Sequence, residues 1–310
     1  MLVLVAPGQG AQAPGFLNPW LELPGVADSL ARWSEITGLD LVRYGTEAGA
    51  EEITDTAVAQ PLLVAAGLVS ARALLDGVAA ARPGVVAGHS VGELTAAALA
   101  GVLPEADAMA VVTRRGQAMA EAAAVTDTGM SAVLGGDAET VVTHLEKLGL
   151  TPANINGAGQ IVAAGTTEQL AELAADKPEG ARAVRALKVA GAFHTAHMAP
   201  AVGALREAVA GVAVGEPALR LVSNRDGAVV ADGPEFVDRL VDQVASPVRW
   251  DLCMETFQRL GATALIELCP GGTLTGLAKR ALPGVKTLAL KTPDQLDAAR
   301  ELIAEHGTAE

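Results

Sequence analysis

The chain has 310 residues, 50% of them hydrophobic and only 3% aromatic. It can bury a large core and does not read as repetitive, collagen-like or disordered. A formal net charge of -14 argues against holding nucleic acid phosphates or an anionic membrane by bulk charge.

Residues 2–6 read as a short buried strand that runs into the glycine turn "PGQGAQ". The opening "MLVLVAPGQG" lacks a basic n-region and is too short for a signal peptide. Helical segments are expected to about residue 80, including "QPLLVAAGLVSARALLDG", where Pro61 suits a first helical turn. Arg72 interrupts that run, so no apolar stretch of about 18 residues forms a membrane span. Residues 85–87 read as a second strand and 91–100 as a helix stopped by Gly101; 105–124 is a helix started by Pro104. Strand, glycine turn and helix, twice over, is the grammar of a parallel sheet with crossover helices.

Between residues 128 and 190 the rhythm changes. "MSAVLGG" reads as a strand, "DAETVVTHLEKLG" as a helix, "PANINGAGQIVAAG" as two strands, "TTEQLAELAAD" as a helix and "ARAVRALKV" as a strand. The order β-α-β-β-α-β is that of a ferredoxin-like module, here an inserted subdomain. "LRLVSN" and "TALIELCPG" then read as further strands of the main sheet, with "PVRWDLCMETFQRLG" a helix between them and "AEHGTAE" a frayed acidic tail. Cys253 and Cys269, 16 positions apart, suggest neither a disulfide framework nor a metal site. The expectation is an α/β protein of the cytoplasm.

"GHSVG", between the second strand and its helix, fits the Gly-x-Ser-x-Gly nucleophile elbow. Such a turn lifts the Ser90 hydroxyl clear of the sheet and aims the first N–H groups of the helix at the reacting oxygen. The alternative is a serine that merely caps the helix. Of five histidines, His306 sits in the tail, His144 lies on a charged helix face and His89 is expected to line the pocket or pack beside Ser90. His194 and His197, in "GAFHTAHMAP" where the chain returns from the small module, remain as candidate bases, and spacing does not choose between them. No carboxylate presents itself as a third triad member: Asp137 and Asp176 read as cap and surface residues. Arg115, bracketed at i±4 by Val111 and Met119, is placed on the inward helix face, whereas Arg114 could equally be at the surface. An inward arginine needs an anion, either a structural carboxylate or a substrate carboxylate gripped in two-point fashion.

"APGQGAQ", "GHSVGE", "RRGQAM", "NINGAGQIVAAG", "GAFHTAHM" and "PGGTLTGLAKR" follow one another in an order that resembles the malonyl-CoA:acyl carrier protein transacylases, from residue 1 to about 290. The resemblance implies an α/β-hydrolase-like core over 1–127 and 191–310 with a ferredoxin-like subdomain over 128–190. It also implies that Ser90 is acylated, that His194 is base and acid, and that the Gln243 backbone carbonyl holds the imidazole in place of a carboxylate. Gln9 and Val91 would supply the two N–H groups of the oxyanion hole, and Arg115 would grip the malonyl carboxylate. Gln60 and Asn156 would line the acyl pocket; His89 and Met119 are placed with the substrate-binding residues. Phe193 resembles malonyl-selective members, while Gly191 departs from many multidomain relatives, which carry histidine there.

The implied reaction is ping-pong transfer of malonyl from malonyl-CoA to the phosphopantetheine thiol of acyl carrier protein, in fatty acid or polyketide synthesis. It implies no cofactor, no metal, no nucleic acid or membrane partner, and a monomer. Acetyl-CoA would leave Arg115 buried and unpaired, costing about 3–5 kcal/mol. Arg182, Arg185 and Lys188, or Lys279 and Arg280, are the basic clusters nearest the expected site for anionic partners; solvated faces are the plain alternative. The competing enzyme reading is a serine esterase or thioesterase on the same elbow, disfavoured by the missing acid and the inward Arg115. A non-catalytic interaction protein is the third reading.

Overall fold

The computed structural model describes residues 1–76, 78 and 81–308. Strand β1 (Leu2–Ala6) is apolar throughout because both of its faces are covered. Leu2, Leu4 and Ala6 enter one core cluster and Val3 and Val5 the other, the pattern of a strand in a sheet with helices on both sides. A glycine loop and a 3-10 turn (Asn18–Glu22) lead to α1 (Val26–Thr37), α2 (Leu41–Thr46), α3 (Ala50–Thr54) and the long α4 (Thr56–Leu75).

The sequence places Pro61 in the first turn of α4, but the helix starts earlier. Asp55 accepts a hydrogen bond from the Ala57 N–H and sets the N-terminus there, leaving Pro61 inside the helix. Residues 77, 79 and 80, at the end of the expected helical stretch, lie outside the described residues. Among those described, α4 alone is long and apolar enough to cross a membrane, with a mean hydropathy of 1.7, and 83% of that stretch is buried within the protein. Arg72 lies near its end, where Nε donates to Glu105 Oε1 at 2.8 Å.

Strand β2 (Val85–Gly88) is followed by α5 (Gly92–Leu99) and α6 (Glu105–Ala123). The next six elements are β3 (Thr128–Gly135), α7 (Ala138–Lys147), β4 (Thr151–Gly157), β5 (Gln160–Thr166), α8 (Thr167–Ala175) and β6 (Ala181–Ala186). They form a second sheet in which β3 pairs antiparallel with β5 and β6, and β4 pairs antiparallel with β5. Val133, Ile161 and Ala163 of this sheet pack on Val141, Leu145 and Leu173 of its two helices.

The chain returns through a 3-10 turn (Ala196–Met198) to α9 (Ala199–Val209), β7 (Arg220–Val222), β8 (Val229–Val230) and α10 (Gly233–Gln243). Then come β9 (Val248–Arg249), α11 (Trp250–Arg259), β10 (Ala264–Glu267), α12 (Thr273–Ala281), β11 (Lys286–Ala289) and α13 (Leu296–His306). The helix expected from residue 247 therefore begins only at Trp250. Val248 and Arg249 instead pair parallel with Asn154 and Ile155 of β4, so the small sheet takes its fifth strand from a distant part of the chain. The pairing covers backbone groups on β4 that would otherwise form an open edge. The frayed tail is also corrected: α13 runs to His306, Ala299 and Ile303 are fully buried, and Thr308 bridges Arg82. Residues 309 and 310 lie outside the described residues.

The main sheet has the order β11-β10-β1-β2-β7-β8. Its first five strands are parallel, and β8 returns antiparallel to β7. Ala6 pairs with Gly88 and Ala87 with Val222, so β1, β2 and β7 end side by side. Their carboxyl ends, the usual place for a ligand in an open α/β sheet, deliver the 7–10 loop, the Ser90 turn and Asn224 to one crevice.

Candidate active site

Two glycines make the Ser90 turn possible. A Cβ on Gly88 would lie 1.9 Å from the Gly92 carbonyl carbon, and one on Gly92 would lie 2.3 Å from the Ala6 oxygen. Ser90 itself adopts φ 54°, a left-handed conformation that costs a non-glycine residue energy unless its surroundings enforce it. Asn224, just beyond β7, supplies that enforcement. Its Oδ1 accepts from the Ser90 N–H at 2.8 Å and its Nδ2 donates to the Gly88 oxygen at 2.7 Å. Gly8 lets the "PGQG" loop approach the same turn, since a Cβ there would meet the His89 oxygen at 2.9 Å.

His194 Nε2 lies 2.7 Å from Ser90 Oγ, and His194 Nδ1 lies 2.8 Å from the Gln243 backbone oxygen. A carbonyl oxygen only accepts, so Nδ1 carries the proton and the Nε2 lone pair faces the serine hydroxyl. The His194 N–H also donates to the Val244 oxygen at 3.1 Å. Both carbonyls come from the end of α10, where a helix leaves its last oxygens without intrahelical partners. Burial pushes the His194 pKa down to about 3, the nearby Arg115 charge adds to the fall, and the Gln243 carbonyl opposes it.

Arg115 is 2% exposed, whereas Arg114 reaches solvent and pairs with Glu121. Arg115 Nη1 donates to Gln60 Oε1 at 2.6 Å and Nη2 to Gln243 Oε1 at 2.7 Å, with Ser90 Oγ 3.4 Å from Nη2. The expectation that acetyl-CoA would leave Arg115 unpaired is therefore corrected: two neutral amide oxygens hold it. Gly116 permits the arrangement, because a Cβ there would approach the Thr56 oxygen to 2.9 Å and push α6 off the start of α4. Behind this layer sits Glu93, 1% exposed. Its oxygens accept from the Asn224 N–H at 2.6 Å and, in a short contact, from Gln243 Nε2. Burial pushes the Glu93 carboxyl upward from its ordinary range, against the pull of these donors and of Arg115. Both oxygens face N–H donors, which is the bonding of an ionised carboxylate.

A cavity of about 280 Å³ opens over Ser90. Of the residues expected at the site, Gln9, Gln60, His89, Val91, Met119, Asn156, Phe193 and His194 border it with Ser90. Arg115 and Gln243 stand in the layer behind, reached through Ser90 and Gln60. His89 Nε2 pairs with Asn156 Oδ1 at 2.9 Å, and its ring meets Trp250 edge-on at 5.5 Å, so it both lines the cavity and packs. Gly191 has no room for a larger residue, since a Cβ would lie 2.7 Å from that of Ala123.

The other candidates lie elsewhere. His197 is half-buried in the 3-10 turn, away from the cavity wall. His144, expected on a solvated face, instead bonds the Asp176 backbone oxygen at 2.8 Å and ties α7 to the end of α8. Asp137 caps α7. Arg182, Arg185, Lys188, Lys279 and Arg280 are all exposed. Sequence reasoning passed over Glu93, Asn224 and Gln160, which accepts from Asn156 Nδ2 at 2.9 Å. A carboxylate inside the run "GELTAAALA" is the one signal that could have exposed Glu93, because a charge on a buried helix needs partners.

Residues 3–298 match the family described as the acyl transferase domain. A malonyl CoA-acyl carrier protein transacylase of Mycobacterium tuberculosis is 54% identical over 298 residues, covering 96% of this chain and 98% of that protein. The crystal structure of a Mycobacterium tuberculosis protein of that class superposes with a TM-score of 0.92 at 52% identity, covering 97% of this chain and 99% of the other. A malonyl-transacylase solved in complex with its type II polyketide acyl carrier protein superposes at 0.91 with 31% identity, covering 97% of this chain and 99% of that one.

Proposed function

The chain belongs to the malonyl-CoA:acyl carrier protein transacylases of the acyl transferase family, and on that premise we propose that its malonyl transfer runs through an ester on Ser90. It takes malonyl from malonyl-CoA and passes it to the phosphopantetheine thiol of acyl carrier protein. The observation that carries the assignment of residues is the 2.7 Å contact between Ser90 Oγ and an imidazole whose other nitrogen is already committed to a carbonyl.

His194 Nε2 takes the Ser90 proton as Oγ attacks the thioester carbonyl. The oxyanion rests on the backbone N–H groups of Gln9 and Val91, and losing one such donor would cost about 100- to 1000-fold in rate. The carbon–sulfur bond then breaks, and CoA leaves with the proton returned by His194. The carrier thiol enters by the reverse steps: His194 takes its proton, sulfur attacks the ester, and Ser90 regains its hydroxyl. Each proton taken is given back within its half-reaction.

Arg115 is the carboxylate clamp. Already held by Gln60 and Gln243, it needs no rescue from an unpaired state. Its selectivity comes from charge-assisted hydrogen bonds to malonyl that acetyl cannot make, worth about 1.5–3 kcal/mol each. The malonyl charge would also offset the field of Arg115 at His194 and so restore basicity to the imidazole. The enzyme works in the cytoplasm, with water-soluble donor and acceptor. The test follows transfer from malonyl-CoA to the holo carrier protein by the mass of the carrier. Ser90→Ala and His194→Ala should each lower the rate by at least about 1000-fold; transfer at the native rate by Ser90→Ala would overturn the assignment.

A further inference from the structure

Gln243 does two jobs. Its backbone oxygen holds His194, while its side-chain amide lies between Glu93 and Arg115. An amide has one accepting and one donating end. The Oε1 end faces the Arg115 guanidinium, and the Nε2 end faces Glu93 Oε2, with the Ser90 oxygen at 3.2 Å and Asn224 Oδ1 at 3.4 Å. Turned over, the amide would put its NH2 against a guanidinium and its oxygen against a carboxylate.

We propose that Glu93 is a positioning residue for substrate selection: it fixes the Gln243 amide, keeping a counter-charge one amide away from Arg115, so that only neutral oxygens, which a substrate carboxylate can displace, rest on the guanidinium. A carboxylate placed directly on Arg115 would satisfy the charge equally well but would hold the guanidinium more tightly than the neutral Gln243 oxygen does, and so compete with malonyl. A carboxylate at Glu93 meets both demands. It accepts the Asn224 N–H and the Gln243 NH2 together, and it reaches Arg115 only through a neutral group. The inference rests on Arg115 being the clamp for the malonyl carboxylate.

Exchanging the two side chains tests it. Glu93→Gln alone leaves one accepting oxygen for two N–H donors, so it should lower the Tm. In the pair Glu93→Gln with Gln243→Glu, the new amide accepts from Asn224 and donates to the new carboxylate, which in turn accepts from Arg115. The bonds to the Asn224 N–H, to Arg115 and between residues 93 and 243 are satisfied again, and the backbone oxygen of residue 243 is retained; only the longer Nε2 contacts to the Ser90 oxygen and Asn224 Oδ1 are lost. The readout is kcat/KM for acylation of Ser90 by malonyl-CoA divided by that for acetyl-CoA, with Tm measured alongside. The ratio should fall at least roughly tenfold in Glu93→Gln. In the exchanged pair Tm should recover most of its loss while the ratio stays low, because the internal carboxylate now competes with malonyl; a rise in the malonyl-CoA KM should carry the loss.

A merely structural role for Glu93 requires the ratio to recover with Tm, and that result would overturn the proposal. So would a native ratio in Glu93→Gln. Arg115→Ala, run in parallel, separates the two levels. If it keeps the native malonyl preference, the clamp itself is wrong and this inference falls with it. If it loses the preference while Glu93→Gln keeps it, only the role of Glu93 is refuted.

Discussion

Among the described residues, three non-glycines have a positive φ, and two of them are Ser90 and His194. Strain of this kind persists where neighbours over-determine the backbone. Here those neighbours are Asn224 for the serine and the Gln243 and Val244 carbonyls for the histidine. The chemistry that results has a pH signature. His194 is neutral when folded down to a pKa of about 3, against an ordinary value near 6.5, so the unfolded chain binds the extra proton between those values. Its contribution to stability is full above pH 6.5 and is lost as pH falls toward 3. The Tm of the native chain should drop between pH 7 and pH 4 by more than that of His194→Ala; equal drops would contradict the burial of a neutral imidazole. In kinetics, the same shift puts the acid limb of kcat/KM for malonyl-CoA below pH 6.5, and a limb at or above 6.5 would contradict it.

At the scale of elements, glycines separate those that shape the site from those that merely sit in it. Gly92→Ala would drive a methyl into the Ala6 carbonyl at the start of α5. It should destabilise by about 3 kcal/mol or more and abolish acylation; a native Tm would contradict the tight elbow. Gly203, exposed in α9 with open space where a Cβ would stand, should behave oppositely. Gly203→Ala is expected to stabilise by about 0.5–1 kcal/mol, measured by urea unfolding, and destabilisation would contradict the open helix face. Local pattern made β1, β2, α6 and the elements from β3 to β6 legible in the sequence, because apolar runs and glycine turns bound them. The two residues of β9 were not legible. A two-residue strand has no period, and its partner lies about ninety positions earlier in β4. The start of α4 was misread because Pro61 is a strong helix-start signal, while the Asp55 cap that outranks it is a single residue. At the site, Ser90 and the inward Arg115 followed from pattern, and the choice of His194 over His197 came from family resemblance. Glu93 and Asn224 stayed hidden because their roles arise only when β2, β7 and α10 converge.

For the whole molecule, charge is the constraint on partners. A chain of net charge -14 must bring an acidic carrier protein and a CoA to a crevice at the ends of its main sheet. Arg182 and Arg185 on β6 and Lys188 just beyond it are all exposed, and Leu187, between Arg185 and Lys188 in the chain, borders the cavity. Surface charge of this sort acts on association more than on chemistry. Reversing Arg182 and Arg185 to glutamate should raise the KM for the carrier protein several-fold and leave acylation by malonyl-CoA intact; unchanged transfer kinetics would remove these arginines from the account. The central claim is narrower: one serine carries the acyl group and one buried arginine chooses it. The most direct measurement is the intact mass of the protein after brief mixing with malonyl-CoA or acetyl-CoA, for the native chain and for Arg115→Ala. The expected result is a malonyl adduct on Ser90 that is scarce with acetyl-CoA, and a preference lost or reversed in the arginine variant. Free malonate accumulating without an adduct, or an unchanged preference in Arg115→Ala, would contradict it.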